Sequence, residues 1–123
     1  MILVDTSVWV AHFRVAEPDL VALLSRNQVL VHPHVIAEIA LGSVGNRNAV
    51  LRHLGNMPAA VTASHVEVMA FIDRHRLANS GVGYVDAALL ASTALTAGAA
   101  LWARDANLRA AAARSRLAAK GLT

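Results

Sequence analysis

Residues 1–10 read MILVDTSVWV. Four apolar residues run unbroken to Val4, Asp5 follows at once, and Thr6 and Ser7 precede a return to apolar residues. A short continuous apolar run is the pattern of a strand buried on both faces, and such strands belong to parallel sheets covered by helices. Asp, Thr and Ser favour helix N-termini, so Asp5 ends the strand and caps a helix over roughly Thr6 to Arg14. On that basis the chain is α/β, with a carboxylate at the carboxyl end of its first strand.

The rest of the chain repeats the alternation. Pro18 suits the first turn of a second helix whose apolar stripe is Leu20, Val21, Leu23 and Leu24. Gln28 to Val31 is a second strand, and a helix from Pro33 ends at Gly42. Arg47 to Leu54 forms another helix closed by Gly55, and Met57 to Thr62 is a connection with a short strand near Val61. Ser64, with Glu67 three residues on, makes a capping box for a helix to about Leu77. The loop NSGVG leads into an apolar helix from Tyr84 to Ala97, stopped by Gly98. Ala99 to Trp102 is a strand, and Asp105 opens a last helix rich in Ala and Arg. The 123 residues show no internal repeat or linker and are expected to form one domain, residues 1–123, with a central parallel sheet.

Composition narrows the chemistry. There is no cysteine, which excludes disulfides, thiolate catalysis and zinc–cysteine sites and fits a cytoplasmic protein. No secretory signal is visible, because Asp5 interrupts the first apolar run. Val85 to Trp102 is long and apolar but contains Asp86, Ser92, Thr93, Thr96 and Gly98, so two elements fit it better than a membrane span. Hydrophobic residues make up 56%, aromatics only 4%, so the core is expected to be aliphatic, with some apolar surface left for a partner. Net charge is +3, and of eleven basic residues all but Lys120 are Arg, whose fork matches phosphate oxygens. Arg104, Arg109, Arg114, Arg116 and Lys120 crowd the tail, as a solvated helix face or a nucleic-acid surface.

Four of the eight acids stand out. Asp5 and Asp105 each follow a strand, on the rim where open parallel sheets bind ligands. Glu38 is the only charge between Arg26 and Arg47, and Asp86 the only one between Arg76 and Arg104, histidines taken as neutral. Neither has a basic neighbour at helical spacing. An isolated carboxylate among apolar residues is costly unless paired, protonated or metal-bound. Taken singly, each has an ordinary explanation: a cap for Asp5 and Asp105, a wet helix stripe for Glu38 and Asp86. Taken together, they form a cluster that repels itself unless a divalent ion neutralises it. Oxygen ligands without cysteine select Mg²⁺ or Mn²⁺. Such a site with basic residues around it points to phosphodiester hydrolysis.

In order along the chain, VDTSVW (4–9), VIAEIALG (35–42), GVGYVDAALLAS (81–92) and LWARDANLR (101–109) resemble the motifs of a PIN-domain ribonuclease, and more narrowly the toxin of a VapBC-type toxin–antitoxin pair. The resemblance covers Met1 to about Arg109. It implies a three-layer α/β/α PIN-like fold with a central parallel sheet and Mg²⁺- or Mn²⁺-dependent endoribonuclease activity. It also implies an RNA substrate, a cognate VapB-type antitoxin seated in a groove and a homodimer. Asp5, Asp86 and Asp105 are carried over as metal ligands, and Glu38 as the acid that orients the attacking water or holds a second ion. Thr6 and Ser7 are candidates to hydrogen-bond the site, Asn107 is a secondary candidate, and Arg104 and Arg109 are candidates for RNA binding. Trp9, Phe13, Leu20 and Leu24 are candidates to line the antitoxin groove or to be ordinary core. Two positions depart from the family pattern: Ala103 where Thr is frequent, and Asn107 where a further Asp is frequent. Both bear on a second metal more than on activity.

Three rivals stand beside this expectation. ILVDTS is similar to the nucleophile strand of an aspartyl-phosphate phosphatase, but Ser7 replaces the second acid and the only lysine is Lys120. His32 and His34 have the H-x-H spacing of some metal hydrolases. Finally, a degenerate nuclease fold would bind RNA or protein without cutting.

Overall fold

The computed structural model describes residues 1–123. Strand β1 (Ile2–Val4) is central, flanked by β2 (Val29–Leu30) and β3 (Ala100–Trp102), all parallel. Ile2 pairs with Val29 on one side and Ala100 on the other. Single parallel bridges, Val31 to Ala59 and Leu101 to Ala118, add one rung beyond each edge. The strand expected near Val61 is thus a bridge two residues earlier. β1 is central because it is apolar throughout: Leu3 and Val4 are wholly buried, each stabilising the fold by about 1.5–3 kcal/mol.

Seven helices cover the sheet. They are α1 (Thr6–Arg14), α2 (Pro18–Ser25), α3 (Pro33–Leu41), α4 (Arg47–Gly55), α5 (His65–Arg74), α6 (Tyr84–Leu95) and α7 (Ala106–Arg114). The chain steps from β1 to β2 to the Ala59 edge, then returns to β3 and the Ala118 edge. Parallel crossovers are right-handed, so reversing direction reverses the face covered. Helices α1–α4 therefore lie on one face and α5–α7 on the other, giving three layers. Contacts of α1 with α3, α3 with α4 and α5 with α6 agree.

Local chemistry explains the helix ends. The Ser64–Glu67 capping box forms in full, Pro33 starts α3, and Gly42 ends it. α5 stops at Arg74, three residues before the sequence pattern suggests, because Arg76 takes a left-handed turn at φ +53°. In α6, Ala87 to Thr93 are all buried, which accounts for a helix apolar on every side. The core is aliphatic as expected, with Trp9, Phe71 and Trp102 as its aromatic members.

Candidate metal-dependent nuclease site

The change of direction after β1 creates a crevice at the carboxyl ends of β1 and β3, where open α/β sheets bind ligands. Asp5 follows β1 directly and is only 6% exposed. Its backbone N–H continues the β1–β3 ladder by donating to the Trp102 carbonyl at 2.9 Å. Its Oδ2 accepts the Ser7 N–H at 3.1 Å, capping α1, and the Ser7 hydroxyl at 2.6 Å. The Ser7 Oγ in turn accepts the Arg104 N–H at 3.1 Å. This chain of bonds joins the two strand ends through the side chain of Ser7.

Asp105 mirrors Asp5 one strand over. Its Oδ2 caps α7 by accepting the Leu108 N–H at 3.0 Å. Asn107 sits against Gly81 in the loop before α6 so closely that a Cβ at Gly81 would overlap the amide, and Gly81 holds φ +82°. The glycine thus lets the α6 entry loop lie on the start of α7. Glu38 is exposed on α3, and its Oε1 accepts the Thr6 hydroxyl at 2.9 Å across to α1.

Asp86 occupies the first turn of α6, just ahead of that helix's buried run. A helix N-terminus ordinarily favours a carboxylate. Here burial, and then the charges of Asp5, Asp105 and Glu38, outweigh that preference and push Asp86 up to about 6 from an ordinary 3.8. Three acids distant from it in sequence therefore bear on Asp86 in the crevice. No cation neutralises them: the one ion pair of the chain, Arg104 to Glu17 at 2.8 Å, lies to the side.

The donor set suits a hard divalent ion. It is all oxygen, and each acid keeps at least one oxygen free: the hydrogen bonds engage only Oδ2 of Asp5, Oε1 of Glu38 and Oδ2 of Asp105. No three of the side chains already stand as a closed metal-binding group.

Other sequence candidates have different places. Arg104 turns its guanidinium from the crevice toward Glu17 and the Thr123 carbonyl, over the Trp102 ring. Arg109 is exposed one turn beyond Asp105. Leu20 is wholly buried core, so it lines no groove, whereas Trp9, Phe13 and Leu24 border a cavity of about 350 Å³ with Val50 and Met57. His32 also leaves the candidate ligands: it is wholly buried, and both ring nitrogens are hydrogen-bonded inside the protein. Burial holds its imidazole down at about 4, hence neutral. Sequence reasoning missed the Ser7–Arg104 link and the Arg104–Glu17 pair. Both join residues far apart in the chain, and no local pattern encodes either.

Comparison with known proteins agrees with the geometry. The family model described as "PIN domain" matches residues 2–114. Two relatives, each named Ribonuclease VapC32, come from Mycobacterium tuberculosis strains CDC 1551 / Oshkosh and ATCC 25618 / H37Rv. Each is 49% identical over 118 residues, covering 96% of this chain and 95% of the relative. With its three-layer fold, its rim acids and near full-length similarity to VapC proteins, the chain belongs to the PIN-domain family, in its VapC group.

Proposed function

We propose that the chain is a Mg²⁺- or Mn²⁺-dependent endoribonuclease, the toxin of a VapBC-type pair, working as a single PIN domain over residues 1–123. The observation that supports this is the placement of Asp5 and Asp105 at the carboxyl ends of β1 and β3, with Asp86 pushed up by burial and by the charges of Asp5, Asp105 and Glu38, and none of the four in an ion pair. Asp5, Asp86 and Asp105 would hold the ion, with Glu38 as a further ligand or the acceptor of the water's proton. A bound divalent ion supplies positive charge to the phosphoryl group and a nucleophilic water at neutral pH. The chain's own groups do the rest. Ser7 fixes the Asp5 carboxylate, Thr6 holds Glu38, and Asp105 is locked by its cap.

A cleft of about 310 Å³ opens beside Glu38, bordered by Val10, Phe13, Arg14 and Gly42. It brings a cation within reach of a strand laid across the acids. Arg109 and a released Arg104 are the phosphate contacts on the opposite side, and Asn107 is a neutral oxygen donor at the edge of the site. The cavity beside Trp9 and Phe13 is the groove for the VapB-type antitoxin, and the toxin acts as a homodimer in the cytoplasm. No helix is long and apolar enough to cross a membrane.

The deciding experiment incubates purified protein with structured RNA in Mg²⁺, with and without EDTA, beside Asp5→Asn. The proposal expects internal cleavage that EDTA and the substitution both abolish. Cleavage indifferent to EDTA overturns it. The lack of a ready three-donor group favours one second reading, a module that binds RNA without cutting. RNA retention with no cleavage in either metal would establish that reading.

A further inference from the structure

His32 has no part in the proposed chemistry, yet few side chains are as thoroughly engaged. It follows β2, is wholly buried, and uses both imidazole nitrogens. Nδ1 accepts the His34 N–H at 3.1 Å and thereby caps α3, the helix that carries Glu38. A nitrogen that accepts carries no proton, so Nε2 carries it and donates to the Ser92 Oγ, 3.0 Å away. Ser92 belongs to α6, the helix that carries Asp86. The same Oγ also accepts the Ala63 N–H at 3.0 Å. Beside it, the Thr96 hydroxyl accepts the Val61 N–H at 2.9 Å. The 61–63 segment is therefore stitched to α6 at the point where the imidazole arrives.

α3 and α6 lie on opposite faces of the sheet, and they are not among the helix pairs in extensive contact. We infer that the His32–Ser92 hydrogen bond is a positioning contact that sets the height of α3 against α6 through the sheet and so limits how far Glu38 and Asp86 move relative to one another when an ion draws them together. Glu38 lies six residues past His32 on α3, and Asp86 six residues before Ser92 on α6. Each stretch spans about 9 Å of helical rise. Helices are stiff over that length, so a slip at the pin reaches the carboxylate almost undiminished. Oxygen ligands around Mg²⁺ or Mn²⁺ tolerate little displacement. Slippage is also opposed because parting the pair would leave a buried imidazole N–H without an acceptor.

This inference rests on the proposed metal-dependent nuclease activity, and its test separates the two. His32→Asn keeps a side chain that caps α3 but is too short to reach Ser92. Ser92→Ala leaves the cap untouched and removes the other half of the bond. Mn²⁺ binding to the wild type, both variants and the double variant is followed by electron paramagnetic resonance of free Mn²⁺. RNA cleavage is measured in parallel at saturating Mn²⁺, along with melting temperature without metal. The expected result is a Mn²⁺ half-saturation on the order of tenfold higher in each single variant, the scale typical of groups that orient metal ligands. The double variant should be no worse than the worse single one. The ¹⁵N signature of wild-type His32 should show a bare Nδ1 and a protonated Nε2. Unchanged half-saturation in Ser92→Ala, whatever its melting temperature, overturns the inference while leaving the nuclease proposal intact. A wild type that binds no Mn²⁺ and cuts no RNA overturns the nuclease proposal itself.

Discussion

Asp86→Asn should make the metal-free protein more stable at neutral pH. Asp86 ionises in the folded state only near 6, against an ordinary 3.8, because it is part-buried and faces three other carboxylates. The raised value means the folded state binds the Asp86 proton more tightly than the unfolded chain does. Its contribution is therefore fully present below about pH 4 and lost as pH rises through about 6. At full strength the difference is worth about 3 kcal/mol. Solvent screening at a half-buried site reduces it to about 1–2 kcal/mol. The assay is urea denaturation of wild type and Asp86→Asn in EDTA from pH 4 to 7.5. Wild type should lose that increment between pH 4 and 6, and the variant should not. At pH 7.5 the variant should be the more stable, with a melting temperature higher by roughly 3–8 °C. Adding Mn²⁺ should stabilise wild type and leave the variant nearly unmoved. Parallel pH profiles for the two proteins, or a variant less stable at pH 7.5, would refute the electrostatic reasoning.

Other perturbations probe the scaffold and the substrate face. Gly81→Ala should cost about 1–3 kcal/mol and displace Asn107, since it puts a side chain at φ +82° against that amide; denaturant midpoints check the first effect. Ser64→Ala should destabilise by about 1 kcal/mol through loss of the α5 cap, with RNA cleavage per folded molecule unchanged. Glu17→Gln frees the Arg104 guanidinium and should tighten RNA binding and steepen its salt dependence, read by filter binding from 50 to 200 mM salt.

Where local chemistry decided the structure, the sequence was readable. The greasy run before Asp5, Pro33 with Gly42, and the Ser64–Glu67 box each name an element and its end, and the structure follows them. Misplaced ends have local causes that leave little trace. Arg76 adopts a left-handed turn usually given to glycine, so α5 closes before its apolar pattern does. The outer rungs at Ala59 and Ala118 are single bridges, too short for any period to register. For the site, the isolation of Glu38 and Asp86 among apolar residues was the informative signal, because an unpaired charge needs a reason. The long-range bonds around the site were not legible. Ser7 to Arg104 and His32 to Ser92 join residues 97 and 60 positions apart, and only the sheet order brings them together.

The coordination itself is the most direct test of the central claim that four carboxylates share one divalent ion. Crystals soaked in Mn²⁺ would be measured for anomalous scattering. A strong peak is expected in the crevice at the ends of β1 and β3, about 2.1 Å from oxygens of at least two of Asp5, Asp86 and Asp105, with Glu38 bound directly or through water. Anomalous peaks confined to other surfaces, with the crevice empty at millimolar Mn²⁺, would contradict it.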